Sequence, residues 1–471
     1  MQRRCEIVCL GLLFITGLLP VTAWPQAAPP ATKPSDAAEQ FRLGDRYFWG
    51  QGVPQDYNEA FKWWLRAAEH GHAQAQAQLG ALYANGQGVP QNHVEAAKWT
   101  RRAAEQGYPE AQYYLGVFYS NGQGVPKDYS EAARWFHQAA EQGVVRAQFS
   151  LGAMYRDGWG VAQDYAQTLK WWRIAAHKGH APAQAYLGAM YANGVGVKKD
   201  FAEAARWLRE AAEQGAVESQ YNLGVMYASG EGVPQDFAEA LKWYRRAAEQ
   251  GSAAAQYNLG VHYANGQGVP QDNVEAAKWH RQAAEAGHVG AQYTLGVIYA
   301  SGRGVLQDYA EALKWTRKAA ERGNAQAQTN LGLMYANSHG VEQDFTEAIK
   351  WWKKAARQGD LQAQTNLGLR YASGEGVDRD YEEARKWYRR AAGQGHPSAQ
   401  TYLGLMYANG LGLPQDLIQA YRWISLSSTA GNAAASDLQK QLAQQMTPEQ
   451  IAQAERLVRE WQEKRKKEWH R

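Results

Sequence analysis

The chain has 471 residues, with 50 Lys plus Arg against 46 Asp plus Glu, so its formal net charge is only +4. That balance excludes the dense basic surface needed to neutralise a phosphate backbone. Glycine (47), tryptophan (19) and tyrosine (27) are all frequent, which points to one unit copied many times rather than to unrelated domains.

At the N-terminus, Arg3 and Arg4 precede an apolar run over residues 7–19, broken by Pro20. Val21-Thr22-Ala23 then offers small residues for cleavage after Ala23. This pattern predicts a secretory signal peptide over 1–23, with an apolar run too short to span a bilayer. Cys5 and Cys9 are both inside it, so the mature chain is expected to carry no disulfide and no cysteine metal site. Residues 24–35, rich in proline and alanine, read as a disordered leader.

From residue 36 to 431 the chain repeats. Leu-Gly pairs begin at Leu43, Leu79, Leu115, Leu151, Leu187, Leu223, Leu259, Leu295, Leu331, Leu367 and Leu403, always 36 residues apart. A tyrosine follows four residues after each leucine, from Tyr47 to Tyr407, and a tryptophan twenty after, from Trp63 to Trp423. In the second copy, Ala75, Leu79 and Tyr83 stand four apart and line one stripe of a first helix, helix A. Gly80 inside it costs about 1 kcal/mol relative to alanine, which implies a compensating close approach by a neighbouring backbone or an indole. Asn85-Gly86-Gln87-Gly88 ends the helix and Val89-Pro90 is a stiff connector. A second helix, helix B, opens on a capping box, Asn92 with Glu95, repeated as Asp56/Glu59, Asp128/Glu131 and onward to Asp416/Gln419. Ala96, Trp99 and Ala103 form its buried stripe, and Gly107 closes it. One such hairpin cannot bury its own stripe, whereas a stack of them shares a continuous core. Residues 432–471 read as capping helices, the last opening at Thr447-Pro448 and carrying the basic cluster Lys464-Arg465-Lys466-Lys467 in water.

The pattern A-x-x-x-L-G-x-x-Y, then G-x-G-V, then D-x-x-E-A-x-x-W-x-x-x-A-A-x-x-G resembles the Sel1-like repeat, a relative of the tetratricopeptide repeat. The resemblance implies an all-α, right-handed superhelical α/α solenoid of eleven helix–turn–helix repeats with a C-terminal cap. It also implies an exported bacterial scaffold, periplasmic or secreted, that holds a protein partner along the concave side of its A helices. Departures are few: Ser338 replaces a turn glycine, Ser427-Ser428 the alanine pair, Glu39 an alanine, and Phe48-Trp49 a small pair.

No Walker, H-E-x-x-H or G-x-S-x-G motif is present. Some cysteine-rich members of the family are associated with penicillin binding or weak β-lactamase activity. That chemistry needs Ser-x-x-Lys, and the nearest approach, Ser436 with Lys440, has one residue too many. No catalytic residue, metal or cofactor is therefore expected. His72, His180, His288 and His396 share one position three repeats apart and read as exposed turn histidines. Leu79, Gly80, Tyr83 and Trp99, with Leu259, Gly260, Tyr263 and Trp279, read as core ladders rather than as a stacking platform.

On helix A, the row two residues before each leucine carries Tyr113, Phe149, Tyr221, Tyr257 and Tyr293 and turns to threonine from Thr329 on. Arg156 and Trp159 break the small-residue pattern of the fourth repeat. These seven are the candidate groove for an extended peptide. The competing reading packs the same tyrosines between adjacent A helices, and the two stand level. The expected partner is a protein or peptide, with no nucleic acid and no membrane span, held by a monomer. Secretory immunoglobulin A is one partner that the resemblance suggests.

Overall fold

A computed structural model describes residues 36–469; the expected signal peptide and leader lie outside the described residues. Those residues form 24 helices and no strand. Two units divide the chain, one ending at Gln235 and one beginning at Asp236, and each is built by the same rule.

Each of the eleven repeats has two 13-residue helices, paired as a hairpin within each unit; in the second repeat they are Ala73–Asn85 and His93–Glu105. The three recurring glycines outside the helices have different causes. Gly86 ends helix A at φ 69°, and its N–H donates to the Leu82 carbonyl, the left-handed cap that a side chain resists. Gly88 also has positive φ, and a Cβ there would sit 2.5 Å from the Tyr57 carbonyl oxygen of the preceding repeat. Gly107, at φ 85°, has open space around it, so its backbone angle alone selects glycine. Ser338 takes the left-handed cap at φ 60° and is the only described non-glycine residue with positive φ; its hydroxyl donates to the Val341 carbonyl at 3.1 Å.

Helix B starts differently from the expected reciprocal box. The Asn92 side chain accepts from the N–H groups of Val94 (3.0 Å) and Glu95 (3.1 Å). Its own N–H already donates to the Tyr83 carbonyl of helix A at 2.8 Å. Glu95 has no cap to complete and pairs with Lys98 instead. The same half-box recurs at Asp56, Asp128 and Asp308. A full box forms at Thr447, whose hydroxyl accepts from Gln450 N–H while its own N–H donates to the Gln450 side chain.

Outside the sixth repeat, the helical glycine of each Leu-Gly pair faces the residue after the recurring tryptophan. A Cβ on Gly116 would approach Phe136 to 2.7 Å, on Gly188 Leu208 to 2.6 Å, and on Gly260 His280 to 2.7 Å. In the first, fourth and ninth repeats the neighbour is an indole: Trp64, Trp172 and Trp352. The close approach is thus real, but it belongs to the second of the two aromatic positions. The recurring tryptophan itself fills the joint between hairpins. Trp99, for example, lies in one cluster with Ala60, Trp64, Ala67 and Leu79, and Trp171 joins Ala132, Phe136 and Leu151.

Polar groups set the register of the stack. Buried Gln76 donates to the Ala68 carbonyl of the preceding helix B at 3.0 Å and accepts from Gln106 at 2.7 Å. Gln112 with Gln142, Gln184 with Gln214 and Gln328 with Gln358 do likewise. An arginine of one repeat donates to the tyrosine hydroxyl of the next: Arg101 to Tyr119 at 2.6 Å, Arg209 to Tyr227 at 2.8 Å, Arg317 to Tyr335 at 2.9 Å. At the C-terminus, helices Ala433–Ala443 and Pro448–Trp469 cover the last hairpin. Ala435, Leu442, Met446 and Ala454 pack on Tyr421 and Ile424.

Candidate functional site: the helix A face

Leu79, Gly80 and Trp99 are buried, as are Leu259 and Gly260, whereas Tyr83, Tyr263 and Trp279 are half-buried. The tyrosine ring packs inward while its hydroxyl reaches the edge, where the preceding arginine meets it; Arg245 donates to Tyr263 at 2.8 Å.

The candidate groove row lies in the seam between consecutive hairpins, and its rings are half-buried. In the first unit, Phe149 packs on Trp172 of its own repeat (5.7 Å between ring centres) and on His180 (4.9 Å) and Tyr186 (5.8 Å) of the next. The Trp172 indole donates to the Phe149 carbonyl at 2.9 Å. Arg156 lies over Trp172 and Tyr186 and makes two 2.8 Å hydrogen bonds to Asp157. Tyr113 packs between Tyr114 and Phe136 under the Arg146 guanidinium, and burial pushes its phenol above the ordinary range. Tyr221 is half-buried on the same row. Trp159 stands apart, stacked on Tyr129 at the turn. In the second unit, Tyr257 stacks on His288 at 4.7 Å and meets His280 at a tilt, 5.3 Å between ring centres. Tyr293 packs beside Leu313 and Tyr335. From Thr365 onward the row is closed by hydrogen bonds, Thr365 to His396 and Thr401 to Ser427.

The four histidines at the shared position are not exposed turn residues. Each is half-buried and caps helix A with its ring: Nδ1 of His72, His180, His288 and His396 accepts the N–H three residues on, at 3.2, 3.3, 3.1 and 3.4 Å. A protonated ring could not accept, and the positive helix end disfavours charge there. Burial holds all four below the ordinary histidine range. Histidine is an uncommon N-cap. Their recurrence just before helix A was the available signal.

Two further groups escaped the sequence. Asp45 is the one acid in a row otherwise made of alanine, valine and leucine. Burial pushes its carboxyl up to about 7, held back by the Trp64 indole, which donates to it at 3.1 Å. His280 is 2 % exposed and pushed down to about 4, chiefly by burial. Among the described residues, no three His, Cys, Asp or Glu side chains form a group that could hold a metal ion. None of the helices searched there is long and apolar enough to cross a membrane.

A stack of right-sized hairpins, each sealed by the next, defines a helical repeat protein of the tetratricopeptide-like class. The particular family follows from comparison: the Sel1 repeat model matches eleven segments from residues 40–72 to 397–432, and the chain belongs to that family. The crystal structure of c5321, a protective antigen of uropathogenic Escherichia coli strains displaying an SLR fold, is 39% identical. That match covers 91% of this chain and 92% of c5321, with a TM-score of 0.85. A Sel1 repeat protein from Oxalobacter formigenes is 36% identical over 66% of this chain and 90% of its own, with a TM-score of 0.54. No curated protein matches the chain.

Proposed function

We propose that the chain is an exported, non-catalytic scaffold that holds a protein partner against the outward face of its A helices. One observation carries this reading. The exposed side of helix B repeats an acid paired with a base three residues on, as in Glu59–Lys62, Glu95–Lys98 and Glu131–Arg134, whereas helix A presents side chains that change from repeat to repeat just before the leucine: Gln78, Tyr114, Ser150, Tyr186, Asn222, Asn258 and Thr294. A surface that varies on an otherwise uniform frame is where such a stack can discriminate partners. The half-buried rings beneath it, Tyr113, Phe149 and Tyr257, stiffen that face and lend it apolar area.

Export rests on the N-terminal pattern, and sequencing the mature N-terminus from a periplasmic fraction tests it; a start at Trp24 is the expected result. Similarity to a protein described as a protective antigen favours a location open to the host, which keeps secretory immunoglobulin A as a candidate partner. Photo-crosslinkers placed singly at Gln78, Tyr114, Asn222 and Asn258, and as controls at Lys62 and Arg134 on helix B, test the binding face. Adducts confined to the helix A positions support the reading. Equal adducts from both helices, or none, overturn it. Turnover of a chromogenic β-lactam by the purified protein would replace it with a hydrolytic role.

A further inference from the structure

In the second unit a 190 Å³ cleft opens between the seventh hairpin (Ala253–Asn265 and Asn273–Glu285) and helix A of the eighth repeat (Val289–Ser301). Its volume equals that of about six waters. His280 and Asn273 line it, with Thr294, Val297, Ile298 and, at the rim, Arg303. Its surface is almost wholly apolar, yet two of its lining residues carry orphaned polar atoms: His280 Nδ1 and Asn273 Oδ1 are buried with no hydrogen-bond partner. Leaving such groups unpaired costs roughly 1–3 kcal/mol each, so an unpartnered polar pair in a cleft marks a place where a ligand group fits.

The rim is unusual as well. Val297 is 41% exposed, Val274 54% and Leu306 91%. Leu306 stands where six other repeats carry proline, from Pro54 to Pro414. Gly304 seats the turn bearing Arg303 and Leu306 against Asn273 and Val274. Arg303 is exposed and forms no ion pair among the described residues.

We propose that this cleft is an anchor pocket for a tyrosine on an extended acidic segment of a protein partner. The proposal rests on the reading of helix A as the binding face and gives it a location and a chemistry. A phenol ring fills an apolar slot of this size. Its hydroxyl both donates and accepts, so it can serve either Asn273 Oδ1 or the imidazole, which a phenylalanine cannot. A carboxylate beside the tyrosine pairs with Arg303, and apolar neighbours lie on Val274 and Leu306. Anchors of this kind, a buried aromatic with a polar tip inside a partly charged rim, dominate binding energy at protein interfaces.

The test uses the full mature chain and a displayed peptide library with a fixed central tyrosine and randomised flanks. Enriched peptides are expected to carry Asp or Glu within two residues of the tyrosine. Replacing that tyrosine by phenylalanine should weaken binding at least fivefold. Val297→Trp, which blocks the mouth from an already exposed position, should weaken it at least tenfold, and Arg303→Glu should abolish the acidic preference. No enrichment, equal binding of the phenylalanine peptide, or indifference to both variants overturns the pocket. Crosslinking from Gln78, Tyr114 and Asn222 reports on the wider face separately: adducts there with an indifferent pocket sink only this proposal. Peptides that respond to Val297→Trp while those positions stay silent support the cleft and overturn the wider helix A face.

Discussion

At single residues, the strained and crowded positions make the sharpest predictions. Ser338 holds a left-handed angle that costs a non-glycine residue about 1–2 kcal/mol. After the extra chain entropy of glycine, Ser338→Gly should stabilise by about 0.5–1 kcal/mol in urea unfolding. Gly332→Ala should do the reverse. Alanine is the better helix former, but its methyl would overlap the Trp352 indole, so a net loss of roughly 1–3 kcal/mol is expected. Combining it with Trp352→Ala should cost less than the sum of the two, because the clash and the indole vanish together. Acid acts through His280, whose folded value of about 4 lies below the ordinary 6.5. The unfolded chain takes up that proton first, so stability falls as pH drops from about 6.5 to 4, by about 3 kcal/mol for this group. The four histidine caps add in the same direction. His280→Thr, the residue found at Thr100 and Thr316, should flatten the loss measured between pH 7 and pH 4. Asp45 opposes it: with a folded value of about 7, its contribution fades as pH rises from about 4 to 7, and Asp45→Asn should remove that trend.

At the level of the helix, the half-box separates two roles that the sequence pattern merges. Asp128 alone caps its helix, since its side chain accepts two N–H groups and its own N–H is committed to the Tyr119 carbonyl. Asp128→Ala should cost about 1 kcal/mol, and Asp128→Asn almost nothing, as Asn92 performs the same task. Glu131 pairs only with exposed Arg134, so Glu131→Ala should cost no more than a few tenths of a kcal/mol. Urea midpoints of the three variants decide the matter; a large loss for Glu131→Ala would mean that the reciprocal bond forms after all. Helix A depends in turn on the seam residues. Its N-cap ring in four repeats is a histidine stacked on or bonded to the preceding repeat, as Tyr257 is on His288.

Within each unit, a hairpin is sealed by its neighbours, so stability is close to a sum over hairpins and joints. A local lesson follows for hydrogen exchange. Gly332→Ala should reduce amide protection most in the eighth to tenth hairpins and leave the first unit, up to Gln235, little changed. Uniform loss of protection through both units would show a cooperativity that nearest-neighbour joints do not supply.

The hairpins, their boundaries and the stacking order were legible in the sequence because a strict period of Leu, Gly, Tyr and Trp leaves one consistent way to bury each stripe. The cap glycines were legible too, since a left-handed angle leaves a mark at the residue itself. What period alone could not decide was which of two adjacent aromatics faces the glycine, for Trp63 and Trp64 differ by only one step around a helix. Nor could it show that the Asn92 N–H is already taken by Tyr83, that His288 caps a helix, or that His280 and Asn273 are left unpaired around a cleft. Those outcomes depend on distances between hairpins, which are set when one repeat settles against the next and are written in neither of them separately.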